Sequence, residues 1–330
     1  MDIVDHKGRY IDYARISVTD RCNYRCVYCM PPAGVLSCSH SAIMRFEEII
    51  WLSGILASLG VKRVRFTGGE PFARRGMAEF LVEFRREFPD LTLSVTTNAS
   101  LVLKYIREIR EARLCSLNIS LDTLDPEKFS EVTRTGDISD VLEGIDAALS
   151  IGIPSIKTNT VLMRGFNDDE LPRILSFAWS NGIIPRVIEF MPLEKKLWGQ
   201  DRFIGSAEIF EIMKGLGDWV PLPGNVEHLH HHPAGPAKYY TDSHSTGGRV
   251  FGIIEAVSNH FCAHCNRLRI TATGKMRACL FNNEEIPLID LIRSRDGEAV
   301  RQAILSGIDL KPENWRECAD GFGRMSGIGG

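Results

Sequence analysis

The chain has 330 residues, of which 44% are hydrophobic, and its formal net charge is -3. This length is enough for about two domains, or for one α/β barrel with an added region. The small net charge excludes the broad basic field of a protein that binds nucleic acid. The first residues contain no basic and then apolar leader, and no apolar run reaches the roughly 18 residues that cross a membrane. We therefore expect a cytoplasmic protein with no membrane partner.

Most of the nine cysteines are concentrated in two short segments. Close groups of cysteines in a long chain are typical of metal sites in a reducing compartment, whereas disulfide frameworks are typical of small secreted domains. A chain of this length also buries enough apolar surface to fold without disulfides. The two segments are therefore candidate metal sites, and Cys38, Cys115 and Cys318 lie outside them.

The first cysteine segment follows a strand-like run at residues 13–19 and contains Cys22, Cys26 and Cys29 in the spacing C-x3-C-x2-C. A loop this short can turn three sulfurs inward, but it supplies no fourth ligand. A structural zinc site takes four protein ligands, whereas a 4Fe-4S cluster on three thiolates keeps one iron open for a small molecule. The spacing favours an iron-sulfur cluster, and zinc or unrelated cysteines are the alternatives.

Predicted strands and helices alternate from this segment to about residue 190. Strands are predicted at 13–19, 61–66, 91–96, 117–120, 156–162 and 187–190, with helices at 45–59, 77–88, 101–112, 141–149 and 171–179. Six such units imply a parallel sheet with right-handed crossovers, and they fit an open, partial β/α barrel better than a closed one of eight units. The predicted fold class is therefore α/β.

Polar residues follow five of the six predicted strands. They are the first cysteines, Thr67 to Glu70, Thr96 to Asn98, Ser120 with Asp122, and Glu189 with Met191. Barrel enzymes place their chemistry at the carboxyl ends of the strands. Polar core residues explain one or two of these positions, but five in register indicate a functional site.

The alternation stops past Leu193, and the segment 221–236 is a loop rich in Pro, Gly and His. Four of its histidines are adjacent or nearly so: His228, His230, His231 and His232. We interpret them as a mobile patch rather than a metal site. The glycine-rich residues 324–330 are either disordered or enter a crowded cleft, and composition alone leaves both open.

The second cysteine segment contains Cys262, Cys265 and Cys279 in the spacing C-x2-C-x13-C. With His264 or His260 it forms a possible Cys3His zinc site. Like the first segment it is one thiol short of four, which favours a second iron-sulfur centre with an open iron. Alternate residues of a strand point the same way, so the next strand carries two arginines on one face, and guanidinium groups suit phosphate oxygens.

Three separated motifs carry a resemblance to one family. The first is the run from Arg15 through the cysteine loop, with the aromatic Tyr28 just before the third cysteine, and it resembles the radical S-adenosylmethionine (SAM) enzymes. The others are the run from His260 to Arg269 and the terminal Gly329-Gly330. Together they resemble the radical SAM branch that cyclises GTP in the first step of molybdenum cofactor biosynthesis, over about 15–330.

The resemblance implies a lyase reaction. In that family the open iron of the first cluster binds SAM, and an electron from the cluster cleaves it to a 5'-deoxyadenosyl radical. The radical takes the hydrogen from C3' of the GTP ribose, and the sugar radical attacks C8 of guanine. The product is (8S)-3',8-cyclo-7,8-dihydroguanosine 5'-triphosphate.

The resemblance also implies roles for particular residues. The first 4Fe-4S cluster is expected on Cys22, Cys26 and Cys29, and the second, which binds guanine at its open iron, on Cys262, Cys265 and Cys279. Residues matching SAM-binding positions are Tyr28, Gly69, Ser120 and Met191. Residues matching GTP-binding positions are Arg15, Arg65, Thr96, Lys157, Arg267, Leu268 and Arg269. Gly329 and Gly330 match a tail that reaches the active site. Ala99 departs from the glycine usual in the family, which concerns only the geometry of its loop.

The expected organisation is a radical SAM partial barrel at 1–215, a C-terminal region at 216–318 that carries the second cluster and closes the barrel, and a tail at 319–330. Expected partners are GTP, a flavodoxin- or ferredoxin-like reductant protein, a downstream cyclic pyranopterin monophosphate synthase and a second copy in a homodimer. One alternative is a peptide maturase with an auxiliary cluster, which requires a peptide groove. Another is a non-catalytic iron-sulfur or zinc-binding protein, with four protein ligands at each centre.

Overall fold

The computed structural model of the protein describes residues 3–34, 38–192, 199–222, 235–244 and 248–318. Its strands are β1 (Tyr13–Ser17), β2 (Arg63–Thr67), β3 (Thr92–Thr97), β4 (Ser116–Ser120), β5 (Ile156–Leu162), β6 (Ile184–Glu189), β7 (Trp219–Pro221), β8 (Lys238–Asp242), β9 (Val250–Ile254), β10 (Arg267–Ile270), β11 (Lys275–Arg277) and β12 (Ile286–Pro287). Its α-helices are α1 (Phe46–Ser58), α2 (Met77–Glu87), α3 (Ile106–Glu111), α4 (Pro126–Thr133), α5 (Ile138–Ser150), α6 (Leu171–Ser180), α7 (Ser206–Lys214), α8 (Ile289–Arg293) and α9 (Gly297–Asp309).

All these strands form one sheet, in the order β12-β11-β10-β1-β2-β3-β4-β5-β6-β9-β8-β7. From β1 to β6 neighbouring strands follow chain order and run parallel, and β10 and β9 continue the parallel part at its two ends. The outer strands on both sides pair antiparallel. Since the order begins at β12 and ends at β7, hydrogen bonds do not close the sheet, and the predicted open, partial β/α barrel is confirmed.

The two faces of the central strands carry different residues, because side chains alternate along a strand. Ala14 and Ile16 of β1 are fully buried in the main core, where apolar residues of α1, α2 and α5 also lie. Arg15 lies between them and lines the cavity on the other face of the sheet. The helices therefore stabilise one face, and the other face remains for the polar site.

Two features differ from the sequence prediction. The first is the helix α4, which the sequence analysis does not predict. It begins after Asp125, whose side chain accepts hydrogen bonds from two backbone N–H groups of the first turn, and Pro126 occupies the first helical position. The second is the region beyond residue 193, where the sequence shows no alternation of strands and helices. The helix α7 lies there, and the short strands β7 to β9 extend the sheet. The expected boundary at residue 215 stays a prediction, and the sheet continues across it. The patch at 228–232 and the tail at 319–330 lie outside the described residues.

A buried arginine, paired with Asp5, attaches the N-terminal residues to the C-terminal part. The Arg9 guanidinium bonds Asp5 at 2.6 Å, and it donates to the carbonyl oxygens of Cys262, Lys311 and Pro312 at 3.0, 2.9 and 2.8 Å. Burial alone would raise the pKa of Asp5, but the hydrogen bonds and charge of Arg9 hold that pKa below its usual value. None of the helices in the described ranges is long and apolar enough to cross a membrane.

We expect Arg9→Ala to lower the free energy of unfolding by about 3 to 5 kcal/mol, because it leaves the Asp5 carboxylate buried and uncompensated. Lys7→Ala is the matched control, since Lys7 forms an exposed ion pair with Glu313 and such pairs contribute about 1 kcal/mol or less. Urea unfolding of the two variants measures both effects. Equal losses in the two variants would contradict the structural role of Arg9.

Candidate active site

A cavity of about 340 Å³ extends along the face of the central strands opposite the helices, from the carboxyl end of β1 beside the first triad to the amino end of β10 beside the second. This volume is in the range of small-molecule sites. Its walls include both groups of clustered cysteines and residues from β1 to β6, β10 and the segment after β11. The first triad is Cys22, Cys26 and Cys29, and the second triad is Cys262, Cys265 and Cys279. Both triads therefore face one space, as the sequence predicts.

The loop of the first triad is held by its own backbone and by the end of α4. The N–H groups of Cys29 and Met30 both donate to the carbonyl oxygen of Cys26 at 3.0 Å. Arg134, just after α4, donates to the carbonyl oxygens of Arg25 and Met30 at 2.7 and 2.9 Å. These bonds fix the turn between the second and third cysteines without using the sulfur atoms.

Gly68 and Gly69, which follow β2, pack directly against the start of the cysteine loop. The N–H of Gly69 donates to the carbonyl oxygen of Thr19 at 2.8 Å. A Cβ on Gly69 would lie 2.1 Å from the carbonyl oxygen of Arg21, and one on Gly68, which has φ +146°, would lie 2.4 Å from that of Thr19. Only glycine permits this close approach, so Gly69 has a structural role besides the predicted contact with SAM.

Glu70 connects the end of β2 to the end of β3. Its buried carboxylate accepts hydrogen bonds from the N–H of Phe72 at 3.1 Å, the hydroxyl of Thr97 at 2.8 Å and the N–H of Asn98 at 2.7 Å. Burial raises its pKa to about 7 although these donors oppose the change. Ala99, which follows Asn98, has φ +67°. The loop after β3 therefore keeps a left-handed backbone conformation at this position, although alanine replaces the glycine usual in the family.

The other predicted SAM-binding residues line the same cavity. Tyr28 donates its hydroxyl to Asp122 at 2.5 Å, and the N–H of Val161 holds the second oxygen of that carboxylate at 2.8 Å. Burial raises the pKa of Asp122 to about 6. Ser120 ends β4 and Met191 lies just beyond β6. The structure thus brings these side chains together with the first triad.

Sheet register places three arginines side by side on neighbouring strands. Arg15 of β1 is directly opposite Arg269 of β10 on one side and Arg65 of β2 on the other. Arg267 lies two residues before Arg269, on the same face, and also lines the cavity. Leu268 faces the opposite way and packs into the main core, so only its backbone is available to a nucleotide. Like charges at directly opposed positions are destabilising, and an anionic ligand removes that cost.

The cavity lowers the pKa of most of its cations. Burial, with repulsion from Arg269, lowers the pKa of Arg15 well below its usual value, and burial lowers that of Arg269 to about 10. Burial also lowers the pKa of Lys157 to about 7, and the charges of Arg186 and Arg65 add to the shift. The site therefore concentrates positive charge where few anionic side chains offset it.

Several buried polar atoms on the cavity wall have no hydrogen-bond partner among the described residues. They are Thr96 Oγ1, Asn118 Oδ1, Asn159 Oδ1, Arg65 Nε and Arg186 Nε. Buried polar atoms in folded proteins are usually hydrogen-bonded. Their grouping on one wall fits a polar ligand with both donors and acceptors.

The second triad is built on the β10–β11 hairpin. Cys265 precedes β10 and Cys279 follows β11, so the antiparallel pairing brings them close together. The buried ammonium of Lys311 donates to the carbonyl oxygens of Arg267 and Ala278 at 2.7 and 2.8 Å. Lys311 therefore joins the start of β10 to the residue before Cys279, and it lines the same cavity.

The thiols of the two triads differ in their electrostatic surroundings. Burial raises the pKa of Cys22 to about 11, and it raises that of Cys26 well above the usual value. Burial also acts on Cys265, but the charges of Arg267 and Lys311 outweigh it and lower its pKa to about 6. Within the second triad, however, burial raises the pKa of Cys262, so the cations favour negative charge at Cys265 in particular.

The histidines of the zinc alternative occupy different positions. His264 is exposed, whereas His260 lines the cavity, and its buried Nδ1 has no partner in the part of the chain that the structure describes. Across the same ranges, no three side chains of the His, Cys, Asp and Glu types are arranged around the position of a single metal ion.

Arg186 is a cavity residue that the sequence analysis does not include. It lies inside β6, is 7% exposed, and is paired in register with Asn159 of β5. The predicted strand begins one residue later, at Val187, and so omits it. A charged residue within an otherwise apolar strand is the signal that would have identified it.

Comparison with known proteins gives consistent results over the whole chain. Residues 16–178 match the radical SAM superfamily, and residues 183–317 match the Molybdenum Cofactor Synthesis C family. The chain is 38% identical over 329 residues to the GTP 3',8-cyclase of Thermodesulfovibrio yellowstonii and 39% identical over 331 residues to that of Alkaliphilus oremlandii, covering 99% of each chain in both cases. It is 40% identical over 341 residues to that of Heliobacterium modesticaldum, covering 99% of this chain and all of the relative.

Solved structures show the same fold at low sequence identity. The Streptococcus suis protein SuiB bound to S-adenosylmethionine has a TM-score of 0.58 and 12% identity, covering 91% of this chain and 67% of SuiB. SuiB bound to its precursor peptide SuiA has a TM-score of 0.52 and 15% identity, covering 62% of this chain. In that comparison the chain spans less than half of SuiB, 45% of its length.

The chain therefore belongs to the radical SAM superfamily of enzymes, which use a 4Fe-4S cluster and SAM. Within that superfamily it belongs to the GTP 3',8-cyclase family, whose members carry a second cluster. The residues present fit both groups, because each triad offers three thiols toward a cavity that also has unpaired polar atoms.

We expect Gly69→Ala to reduce the iron bound after anaerobic reconstitution from about eight to about four atoms per chain, because a Cβ at residue 69 displaces the loop of the first triad. The control is Gly54→Ala in α1, where a Cβ would meet only the Phe88 ring, at 4.0 Å, and iron should be unchanged. Iron analysis and visible absorption measure both. Full iron content in Gly69→Ala would show that the loop does not need the close contact.

Proposed function

We propose that this chain is a lyase that converts GTP into (8S)-3',8-cyclo-7,8-dihydroguanosine 5'-triphosphate in the first step of molybdenum cofactor biosynthesis. One observation carries the proposal: the two triads line a single cavity whose wall between them is a row of arginines. A nucleotide triphosphate has a base for one end of such a site and several negative charges for the other. Family membership supports the same substrate.

In this proposal the first triad holds the cluster that binds SAM, and Tyr28, Gly69, Ser120 and Met191 surround the SAM molecule. When bound and reduced, the cluster and SAM supply a carbon radical that removes hydrogen from C3' of the ribose. The chain itself contributes orientation, since the difficult chemistry belongs to the cofactor. Asp122 positions the Tyr28 ring through the hydroxyl hydrogen bond.

The cations of the cavity hold the triphosphate. Arg269, Arg15 and Arg65 form an unbroken row across three strands, with Lys157 and Arg267 beside it on the cavity wall. A triphosphate carries a charge of about -4, so several cations are needed to bind it, and guanidinium groups bind phosphate oxygens in pairs of hydrogen bonds. The unpaired hydroxyl of Thr96 and Nε of Arg186 are further donors for the nucleotide, and Leu268 contributes backbone only.

The second triad would hold the second cluster, which would offer an open iron to guanine. With the base at the second triad and the phosphates on the row of arginines, the ribose is held between two anchors. Holding reacting groups in a near-attack geometry supplies a large part of enzymatic rate enhancement. Gly329 and Gly330, which lie outside the described residues, remain proposed contributors by resemblance alone.

Several finer points stay predictions. They are the flavodoxin- or ferredoxin-like reductant protein, the downstream cyclic pyranopterin monophosphate synthase, the homodimer and the cytoplasmic location. The alternative function, a peptide maturase, is compatible with the fold that this chain shares with SuiB, which was solved with a precursor peptide. However, a row of buried cations between the triads suits a small anion better than a peptide. The non-catalytic alternative requires four protein ligands at each centre.

The deciding experiment is anaerobic turnover of the reconstituted chain with reductant, SAM and GTP. We expect 5'-deoxyadenosine to form and GTP to be consumed in equal amounts. Cys22→Ala should abolish SAM cleavage, because the first cluster loses a ligand. Cys279→Ala should retain SAM cleavage and lose cyclisation, because guanine loses its anchor. Chromatography with mass detection measures both products.

A control for these variants is Cys38→Ala, since Cys38 belongs to neither triad and should leave both products unchanged. Full cyclisation by Cys279→Ala would overturn the role of the second triad. Formation of 5'-deoxyadenosine with a peptide but not with GTP would favour the maturase alternative.

We also expect GTP binding to take up protons through Lys157. In the free protein the pKa of Lys157 is lowered to about 7, and a neighbouring triphosphate raises it. Above pH 7 binding must therefore protonate the lysine, and affinity should fall by up to about tenfold per pH unit. Below pH 6 the lysine is already charged and its contribution to the pH dependence should vanish.

Titration calorimetry in buffers of different ionisation enthalpy measures this proton uptake directly. Lys157→Gln should lose it, and Lys128→Gln, on the outer helix α4, should keep it. The same uptake in wild type and Lys157→Gln would show that another group is responsible.

A further inference from the structure

The aromatic ring of Tyr13 lies next to two cations of the cavity. Tyr13 is two residues before Arg15 on the cavity face of β1, is 8% exposed, and lines the cavity. Sheet register places it directly opposite Arg63 of β2. The Cζ atom of Arg63 lies 5.4 Å from the centroid of the Tyr13 ring, and that of Arg65 lies 5.7 Å from it. Both distances are within the roughly 6 Å of a cation–π contact.

The charges of these two cations are compensated differently. Arg63 donates to both carboxylate oxygens of Asp12 at 2.7 Å, and the side chain of Asn266 donates to the same carboxylate at 2.7 Å. Among the described residues, Arg65 has no carboxylate partner: its Nη2 is 3.5 Å from the hydroxyl of Ser116, and its Nε is buried without a partner. The side chains around Arg65 therefore leave its positive charge available.

The groups that contact the Arg65 guanidinium are polar or aromatic but carry no charge. On one side is the Ser116 hydroxyl, which donates to Ser94 at 2.9 Å and so has a lone pair for Arg65. On the other side is the Tyr13 ring, whose face attracts a cation although the ring has no net charge. A carboxylate in either place would also hold the guanidinium, but it would repel an anionic ligand. This environment suits a cation that is kept for a ligand.

Arg65 needs such a contact because of its neighbour in the sheet. Arg15 is directly opposite Arg65 on β1, and like charges at opposed positions repel each other. Repulsion favours rotamers that turn the Arg65 guanidinium away from the row of arginines. A ligand must then restore the order of the side chain when it binds, which costs affinity.

We propose that Tyr13 is a positioning residue for Arg65, whose guanidinium its ring holds in the row of arginines without neutralising the charge. The proposal rests on the proposed function in one respect, that Arg65 binds phosphate oxygens of GTP. The ring, and not the phenol hydroxyl, is the group that acts. An aromatic side chain at residue 13 is therefore required, and an apolar one of similar size does not replace it.

The test is a double-mutant cycle on ligand binding by the reconstituted holoenzyme, measured by titration calorimetry. The probes are GTP and inorganic triphosphate, which has the phosphates but no base. The variants are Tyr13→Leu, which removes the ring, Tyr13→Phe, which removes only the hydroxyl, Arg65→Gln, and Tyr13→Leu combined with Arg65→Gln. We expect Tyr13→Leu to weaken the binding of both probes about fivefold, and Tyr13→Phe to restore most of that loss.

The double variant separates positioning from a general structural effect. Once Arg65 is replaced by glutamine, the ring has no cation to hold, so Tyr13→Leu should cause no further loss of affinity. A general distortion of the cavity would instead lower affinity by the same factor in both backgrounds. The control is Tyr10→Leu, because Tyr10 is 64% exposed and outside the cavity lining, and its affinity should equal that of wild type.

Two results would overturn the proposal. One is an equal effect of Tyr13→Leu in the wild-type and Arg65→Gln backgrounds. The other is binding by Tyr13→Phe that is as weak as that of Tyr13→Leu, since the hydroxyl would then be the important group. If Tyr13→Leu does not fold, Tyr13→Met is a second apolar replacement for the same cycle, with the same expected loss.

Failure of the proposed function gives a different result. A holoenzyme that binds inorganic triphosphate but neither binds nor converts GTP would contradict the proposed function. Coupling between Tyr13 and Arg65 in the binding of inorganic triphosphate would still support this inference. A holoenzyme that binds neither probe contradicts both.

Discussion

The central physical constraint in this protein is the sheet register that aligns three guanidinium groups. Arg269, Arg15 and Arg65 occupy directly opposed positions on β10, β1 and β2, where mutual repulsion and burial both act against folding. The rest of the fold offsets this cost: the apolar face of the same strands is buried under the helices, and the parallel ladder fixes the strands without help from the cavity side. The site is therefore strained by charge when empty and relaxed by an anion.

The two cysteine triads depend on different means of support. The loop of the first triad lies on the Gly68-Gly69 pair, where backbone meets backbone with no side chain between them. The second triad lies beside two buried cations, Arg267 and Lys311, and the Arg267 guanidinium donates to the sulfur of Cys265. Backbone packing therefore positions the first triad, whereas cationic side chains accompany the second.

Much of this arrangement could be predicted from the sequence, and the failures have physical causes. The alternation of strands and helices and the polar residues at strand ends predict the parallel sheet and the location of the site. Arg186 was omitted because the predicted strand began at Val187, whereas β6 begins at Ile184, three residues earlier. A boundary error of that size hides a residue inside a strand. Cys318 packs against the same Phe281 and Trp315 cluster as Cys262 and Cys279, and spacing along the chain carries no information about that position. Leu268 was predicted to bind GTP because it lies between Arg267 and Arg269 in the family motif. Strand alternation instead directs its side chain into the core.

The Arg9 ion pair also has a consequence for the order of folding during synthesis. Arg9 bonds the backbone of Pro312 and Lys311, which are 303 and 302 residues later in the chain. The free edge of β1 likewise waits for β10, which is translated about 250 residues later. The N-terminal half can assemble its own strands as it emerges. The pocket around the second triad, in contrast, is complete only after the segment up to Pro312 has been made, because β1 and Arg9 both pair with residues of that segment.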